Sequence, residues 1–188
     1  MRIISGHHRG KKILPPKDKL TRPLKDLTKE SIFNIIKHSK LLNIDLENSN
    51  ILDLFSGIGS FGLECLSRGA ASVTFLESYK EVLTILKKNI NNLNQQNFSN
   101  IIEKDIFSEN TLKTLDNKFD IIFMDPPYKE KKLIDLLYRI IKLKLLKDNG
   151  IIIIHRHKKE EDIFPKEFHI LIKKNYGISK IIFGNTLG

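Results

Sequence analysis

The chain is constrained most tightly by ten residues, Phe119-Asp120-Ile121-Ile122-Phe123-Met124-Asp125-Pro126-Pro127-Tyr128. The first six are apolar apart from one aspartate and too few for a stable helix. They read as a strand buried on both faces of a parallel sheet. Two consecutive prolines then stop it. Neither offers an N–H to a ladder, each fixes its own φ, and Pro126 turns Asp125 away from helical geometry. A stiff turn therefore stands at the carboxyl end of a strand, with a carboxylate before it and an aromatic ring after it. Open α/β sheets bind their ligands at that edge. A plain strand exit with a proline stop would use the same four residues, so the rest of the chain has to decide.

From about residue 50 onward, apolar runs alternate with segments of helical spacing, the pattern of a parallel sheet covered on both faces. Strands are predicted over 51–55, 72–76, 100–104, 119–124 and 150–155. Helices are predicted over 60–68, 79–92 and 131–143, with a short one near 109–115. Asn149-Gly150 is a turn signal feeding the fifth strand. Two last strands, 167–174 and 178–183, flank Asn175-Tyr176-Gly177, a gap too short for a helical crossover, so they pair antiparallel. With 188 residues and 40% hydrophobic content, the chain can build one real core. The single cysteine, Cys65, excludes an intramolecular disulfide and a cysteine-cluster metal site, and its place in the 60–68 helix suits a packed thiol. No apolar run approaches the ~20 residues that cross a bilayer. The opening Met1-Arg2-Ile3-Ile4-Ser5-Gly6 lacks a secretory apolar segment, so a cytoplasmic monomer away from membranes is expected.

The net charge of +10 raises a polyanionic partner. An AT-rich genome would also enrich lysine, but it would scatter it. Residues 1–40 hold 11 Lys and Arg against 3 Asp and Glu, whereas the remainder holds 21 against 19, so a basic arm is the better reading. Within that arm, 1–4 and 11–14 suggest a hairpin around Gly6 and Gly10, carrying Arg2, His7, His8, Arg9, Lys11 and Lys12. Pro15-Pro16 breaks the chain and 17–23, with Arg22, reads as a loop. Leu24, Leu27, Ser31, Ile32, Ile35 and Ile36 then fall on one helical face, with Lys25, Lys29 and Lys37 off it and Asp26 or Thr28 as N-cap. Any one of these lysines suits a solvated face; together with the hairpin and Arg22 they suit a phosphate-contacting surface. His7 and His8 have no third ligand near them in sequence, and no metal is expected. The polar stretch 44–50 divides an extension, 1–43, from a main domain, 44–188.

Asp53-Leu54-Phe55-Ser56-Gly57-Ile58-Gly59-Ser60-Phe61-Gly62 places G-x-G-x-x-G after a strand and at the opening of a helix, and Glu77 ends the next strand. That is the setting of a nucleotide-binding loop, with the acid able to accept from ribose hydroxyls. A diphosphate would use the helix N-terminus, which keeps NAD possible. Asp53, however, would repel a diphosphate and welcome a cation. S-adenosylmethionine carries a sulfonium and an ammonium and no phosphate, so the charge logic favours it. Asp105, after the third strand, either accepts from an adenine amine or caps the segment 106–115.

Asp125-Pro126-Pro127-Tyr128 supplies the reactive half. The exocyclic amine of a base is a poor nucleophile because its lone pair is delocalised into the ring. The Asp125 carboxylate and a backbone carbonyl at Pro126, held still by the prolines, would accept its N–H groups and turn the lone pair toward a methyl donor. Tyr128 would stack on a base swung out of its helix.

With these motifs in place, the chain resembles a class I S-adenosylmethionine-dependent methyltransferase, and more closely the bacterial RsmD family. The resemblance is carried by Met1-Arg2-Ile3-Ile4-Ser5-Gly6, Arg9-Gly10, Arg22-Pro23, Glu30-Ser31-Ile32-Phe33-Asn34, Leu52-Asp53-Leu54-Phe55-Ser56-Gly57, Gly62-Leu63-Glu64, Ser67-Arg68-Gly69-Ala70, Asp125-Pro126-Pro127-Tyr128 and Tyr176-Gly177. His7-His8, Leu24-Lys25 and Ser56 depart from the family's usual residues. The resemblance implies a three-layer Rossmann-like fold: an α/β, mostly parallel seven-stranded sheet, its last strand pair antiparallel, with the small hairpin-and-helix extension. It implies cofactor contacts from Asp53, Phe55, Gly57, Gly59, Glu77, Asp105 and Ile106, and amine contacts from Asp125, Pro126, Pro127 and Tyr128. It also implies methylation of guanine N2 in small-subunit (16S) ribosomal RNA, free or in an assembling subunit, gripped by Arg2, Arg9, Lys11, Lys12, Arg22 and Lys29. The tetrapeptide alone also fits an adenine-N6 methyltransferase of DNA or RNA, though no segment is long enough for a separate target-recognition domain. A dehydrogenase lacks room for its second domain. A non-catalytic RNA-binding assembly factor would explain the arm but not Asp125-Pro126-Pro127-Tyr128.

Overall fold

The computed structural model describes residues 1–17 and 24–186. Arg22, Pro23 and most of the expected loop 17–23 therefore lie outside the described residues. In chain order the elements are α1 (Asp26–His38), β1 (Asn50–Leu54), α2 (Ser60–Ser67), β2 (Ser72–Leu76), α3 (Lys80–Asn92), β3 (Ser99–Ile102), β4 (Phe119–Met124), α4 (Leu133–Lys142), β5 (Leu146–His157), β6 (Phe168–Tyr176) and β7 (Ser179–Thr186). The strands form one sheet in the order β3-β2-β1-β4-β5-β7-β6. The pairs from β3 to β5 are parallel, and β7 runs antiparallel between β5 and β6.

Alternation along the central strands sorts the core into two layers. Ile51, Ile121, Phe123, Ile151, Ile153 and Ile181 face α1, α2 and α3. Leu52, Leu54, Ile122, Met124, Ile152 and Ile154 face α4, whose Leu133, Leu136, Leu137 and Ile140 recur at the spacing of one helical face. Apolar residues on both strand faces are what a sheet between two helical layers requires.

Some expectations fail locally. The segment near 109–115 makes only a single 3-10 turn, Leu112–Thr114. Asn149-Gly150 is not a turn before a strand but an irregularity inside β5: Phe119 pairs Leu146 and Ile121 pairs Ile151, leaving extra residues on β5. A Cβ on Gly150 would press on the Asp120 carbonyl at 3.0 Å, so the glycine serves close strand approach. Helix α1 is preceded by Lys25, and neither Asp26 nor Thr28 caps it through its side chain.

The buried face of α1 is also rotated from the expected stripe. Leu27 is 71% exposed, while Thr28, Lys29, Ile32, Phe33 and Ile36 are buried. Phe33 stacks on Phe61 at 5.2 Å, Phe61 stacks on Phe123 at 4.0 Å, and the Arg68 guanidinium lies 4.3 Å over the Phe33 ring. Lys29, expected at an RNA surface, is 0% exposed. Its ammonium donates to the Arg2 carbonyl at 3.0 Å and pairs with Glu64 at 3.4 Å. Desolvation holds Lys29 below the ordinary lysine range, and Glu64 opposes that shift.

Glu64, on α2, docks the arm. Its carboxylate accepts from the Ile4 and Ser5 amides at 2.8 and 2.9 Å and from Arg68 Nε at 2.9 Å. Ser67 donates through Oγ to the Ser5 carbonyl and accepts the His8 amide, and its own carbonyl accepts the His7 amide. Gly6 turns with φ +81°, and a Cβ there would collide with the Ser67 carbonyl. The hairpin is held by one antiparallel bridge, Arg2 to Lys12, and by burial of Ile3 and Ile13 in the same core as α1.

Removing one member of a buried ion pair strands the other, at a cost of about 3 kcal/mol. Lys29→Met should therefore lower unfolding free energy by about that amount and speed hydrogen exchange at the Ile4 and Ser5 amides. Stability within about 0.5 kcal/mol of the parent, the range of a surface substitution, would return Lys29 to the surface.

Candidate active site

Register brings the site together before any side chain is considered. Leu76 pairs Leu54, Leu54 pairs Met124, and Met124 pairs Ile154, so β2, β1, β4 and β5 reach the same edge in one row. The residues that follow are Glu77, Phe55, Asp125 and His155. Neighbouring strands are about 4.8 Å apart, so these four stand side by side.

The loop after β1 is built from backbone conformations that favour glycine. Gly57 and Gly59 take φ +55° and +83°, and Phe55 takes +60°, uncommon for a bulky residue and a mark of local strain. Phe55 meets the Phe107 ring at 5.8 Å. A Cβ on Gly62 would run into the Phe75 ring, so this glycine sets the close packing of α2 on the sheet. The Asp53 carboxylate accepts the Gly62 amide at 3.0 Å, and Glu77 accepts the Gly57 amide at 2.8 Å. The other Glu77 oxygen takes the Ser78 and Tyr79 amides at 2.8 and 2.9 Å. Asp105 accepts the Phe107 amide at 2.9 Å in a local turn, and the Ile106 side chain is buried.

Charge in this crevice is lopsided. Burial pushes the Asp53 carboxyl well above the usual range; the Gly62 amide opposes this, and the charges of Asp125 and Glu77 push it further up. Among the described residues, none of these three carboxylates pairs with a lysine or arginine. Such a donor set suits a cationic ligand and repels a diphosphate.

Asp125 lies half-buried at the crevice, with its amide 3.5 Å from the Leu54 carbonyl. Pro126 is buried and Pro127 exposed. Sequence reasoning missed three residues around them. His155 Nδ1 lies 2.7 Å from Asp125 Oδ1, and His155 Nε2 lies 2.9 Å from Ser179 Oγ. The Tyr128 ring meets His155 edge-on at 6.1 Å and His157 at 5.3 Å. The available signal was position: His155 ends an all-isoleucine run at the same sheet edge as Asp125.

The basic arm residues are only partly gathered. Arg2, Arg9, Lys11 and Lys12 are exposed. The turn bearing Arg9 sits against Ser67, at the far end of α2 and about 12 Å along that helix from the glycine loop. His8 is drawn below the usual histidine range by burial, with Lys11 and His7 adding to the shift. Among the described residues no three His, Cys, Asp or Glu converge as metal ligands, and no helix is long and apolar enough to cross a membrane. Cys65 is buried within α2 and its thiol is pushed up by that burial.

Similarity to known proteins follows the same residues. The family model described as Conserved hypothetical protein 95 matches residues 1–185. Ribosomal RNA small subunit methyltransferase D of Buchnera aphidicola from Acyrthosiphon pisum is 38% identical over 92% of this chain and 86% of its own length. The protein of the same name from Haemophilus influenzae is 34% identical over 95% of this chain and 90% of its own. The solved structure of the Escherichia coli protein yhhF, described as a candidate methyltransferase, superposes with a TM-score of 0.81 at 26% identity, covering 100% of this chain and 98% of that one. Arm, glycine loop, Asp125 turn and all but the last residue of the antiparallel strand pair lie inside the span of the family model, and the chain belongs to the RsmD family of methyltransferases.

Proposed function

We propose that this protein transfers the methyl group of S-adenosylmethionine to the N2 amine of a guanine in small-subunit ribosomal RNA. The observation that carries the reading is Asp125: it stands in the row beside the glycine loop, one carboxylate oxygen engaged by His155. Among the described residues the other oxygen has no hydrogen-bond partner.

The cofactor would lie against Asp53, Phe55, Gly57, Gly59, Glu77, Asp105 and Ile106, and the uncompensated carboxylates suit its sulfonium and ammonium. When bound, it supplies an electrophilic methyl group. The chain's own residues handle the amine. Asp125 Oδ2 and the Pro126 carbonyl each accept one N–H, which turns the lone pair out of conjugation and stabilises positive charge as it develops on nitrogen. The prolines fix the carbonyl, so little reorganisation is needed at the moment of transfer. Tyr128 offers an aromatic face to the extruded base. Arg2, Arg9, Lys11 and Lys12 are proposed phosphate contacts, with Arg22 beyond the described residues. Small-subunit ribosomal RNA is favoured by the target printed in the names of the Buchnera and Haemophilus relatives and by the concentration of positive charge in the arm, and guanine N2 is what the resemblance to the RsmD family implies.

Incubation with methyl-labelled cofactor and undermethylated small subunits should put label in N2-methylguanine. Label in N6-methyladenine would move the target to adenine, and unlabelled RNA would remove the function. Asp125→Ala should lower turnover about 10²- to 10³-fold, the cost of losing one preorganised polar group, while cofactor affinity stays within about threefold; unchanged turnover contradicts the role. Replacing Arg9, Lys11 and Lys12 with alanine should reduce the slope of log affinity against log salt by about 2 to 3. An unaltered slope places the RNA elsewhere.

Asp53 gives a test through pH. A carboxyl raised above its unfolded value favours the fold when protonated, so its contribution is complete below about pH 4 and is lost as pH rises through the folded value. Asp53→Asn keeps an acceptor for the Gly62 amide and removes the titration. Its melting midpoint relative to wild type should climb as pH rises above the ordinary carboxylate range of about 4, while affinity for the cationic cofactor falls. A difference flat with pH would contradict the assignment.

A further inference from the structure

We propose that His155, itself anchored by Ser179, is a positioning residue that fixes which oxygen of Asp125 faces the target amine. The inference rests on Asp125 accepting from that amine. Sheet register enforces the arrangement. Asp125 follows Met124, which pairs Ile154, so Asp125 and His155 are neighbours in one row. On the other side His155 pairs Ile181 and His157 pairs Ser179, which makes Ser179 a diagonal neighbour on the same face as His155. The three side chains therefore meet without a loop having to close.

The chemistry runs in one direction. An ionised carboxylate only accepts, so His155 Nδ1 carries the hydrogen and donates to Asp125 Oδ1 at 2.7 Å. In the neutral ring Nε2 then accepts from the Ser179 hydroxyl at 2.9 Å, which fixes both tautomer and ring orientation. With Oδ1 held, the Asp125 side chain cannot rotate freely, and Oδ2 remains for the substrate.

A serine, a histidine and an aspartate in sequence invite comparison with a nucleophilic triad, and exposure decides against it. Ser179 is 6% exposed and the His155 side chain 8%, whereas the Asp125 side chain is 20% exposed. The end that meets substrate is the carboxylate, and the hydroxyl is the buried anchor. A triad needs the reverse. Tyr128, edge-on to His155 and His157, packs beside this relay, so the aromatic face offered to the base is referenced to the same ring that sets the carboxylate.

Two amide substitutions separate positioning from packing. The side-chain nitrogen of asparagine falls where Nδ1 stands, and that of glutamine falls where Nε2 stands. His155→Asn thus keeps the donor to Asp125 and loses Ser179; His155→Gln keeps Ser179 and loses Asp125. Methyl transfer to undermethylated small subunits is measured together with RNA KM, cofactor affinity and melting midpoint. His155→Asn should stay within about threefold of wild-type kcat, and His155→Gln should lose about 10- to 100-fold, the range for a lost hydrogen bond to a charged group. RNA KM and cofactor affinity should stay within about twofold in both. Equal or inverted kcat values, or a loss confined to KM or cofactor affinity, overturn the proposal.

If His155→Gln does not fold, His155→Leu takes its place, with a kcat about 10- to 100-fold lower at unchanged KM expected, while Ser179→Ala, like His155→Asn, should stay within about threefold. Full kcat in Ser179→Ala alongside an impaired His155→Asn overturns the relay. A wild type that methylates RNA while all His155 and Ser179 variants match it removes the relay alone. A wild type that transfers no methyl group removes both the relay and the reading of Asp125 beneath it.

Discussion

The site depends on strands aligned in register. Because β2, β1 and β4 end at one row, which β5 crosses in register before running on to His157, the residues just past it are delivered to one crevice by backbone hydrogen bonding alone. Glu77 then secures the glycine loop, Asp53 secures the start of α2 through the Gly62 amide, and Asp125 turns out at the proline stop. A parallel sheet supplies such a row because all its strands present their carboxyl ends together. The result is carboxylates facing each other without a matching lysine or arginine among the described residues. Carboxylates brought together in this way cost stability. Burial is the main cause of the raised titration of Asp53 and the charges of Asp125 and Glu77 add to it, while two apolar layers pack the sheet on either side.

A second buried carboxylate has the opposite character. Glu64 is satisfied on every side, by the Ile4 and Ser5 amides, Arg68 and Lys29, and these bonds lock the arm to α2. Burying a charge is expensive unless it is paired and hydrogen-bonded. Here the pairing joins a hairpin, α1 and the helix that begins at the glycine loop. Among the described residues the arm's other lysines and arginines are exposed, while Lys29 holds it in place. Positive charge in this segment is therefore partly a buried tether, which counting lysines does not reveal.

The central strands and the chemistry at their ends were legible in the sequence because both signals are local. Four consecutive isoleucines at 151–154, the apolar run into Asp125 and the glycine spacing after Asp53 each carry their meaning within a few residues. What was not legible depends on partners far along the chain. Lys29 looked solvated because it lies off an apolar stripe, and its buried partners, Glu64 and the Arg2 carbonyl, are far along the chain, on the side where α1 buries Phe33 rather than Leu27. Asn149-Gly150 looked like a turn because nothing local reveals that Asp120 runs alongside. His155 and Ser179 are separated by 24 residues and meet only through the pairing of β5 with β7. Elements follow from pattern, and their relations follow from register.

The account is tested most directly by a structure of the protein with the demethylated cofactor product and a guanine-containing RNA fragment. It predicts the guanine N2 within about 3.2 Å of both Asp125 Oδ2 and the Pro126 carbonyl, with His155 still on Oδ1 and the vacated sulfur facing the amine. A target base seated elsewhere, or Asp125 turned away from it onto the glycine loop, would contradict the central claim.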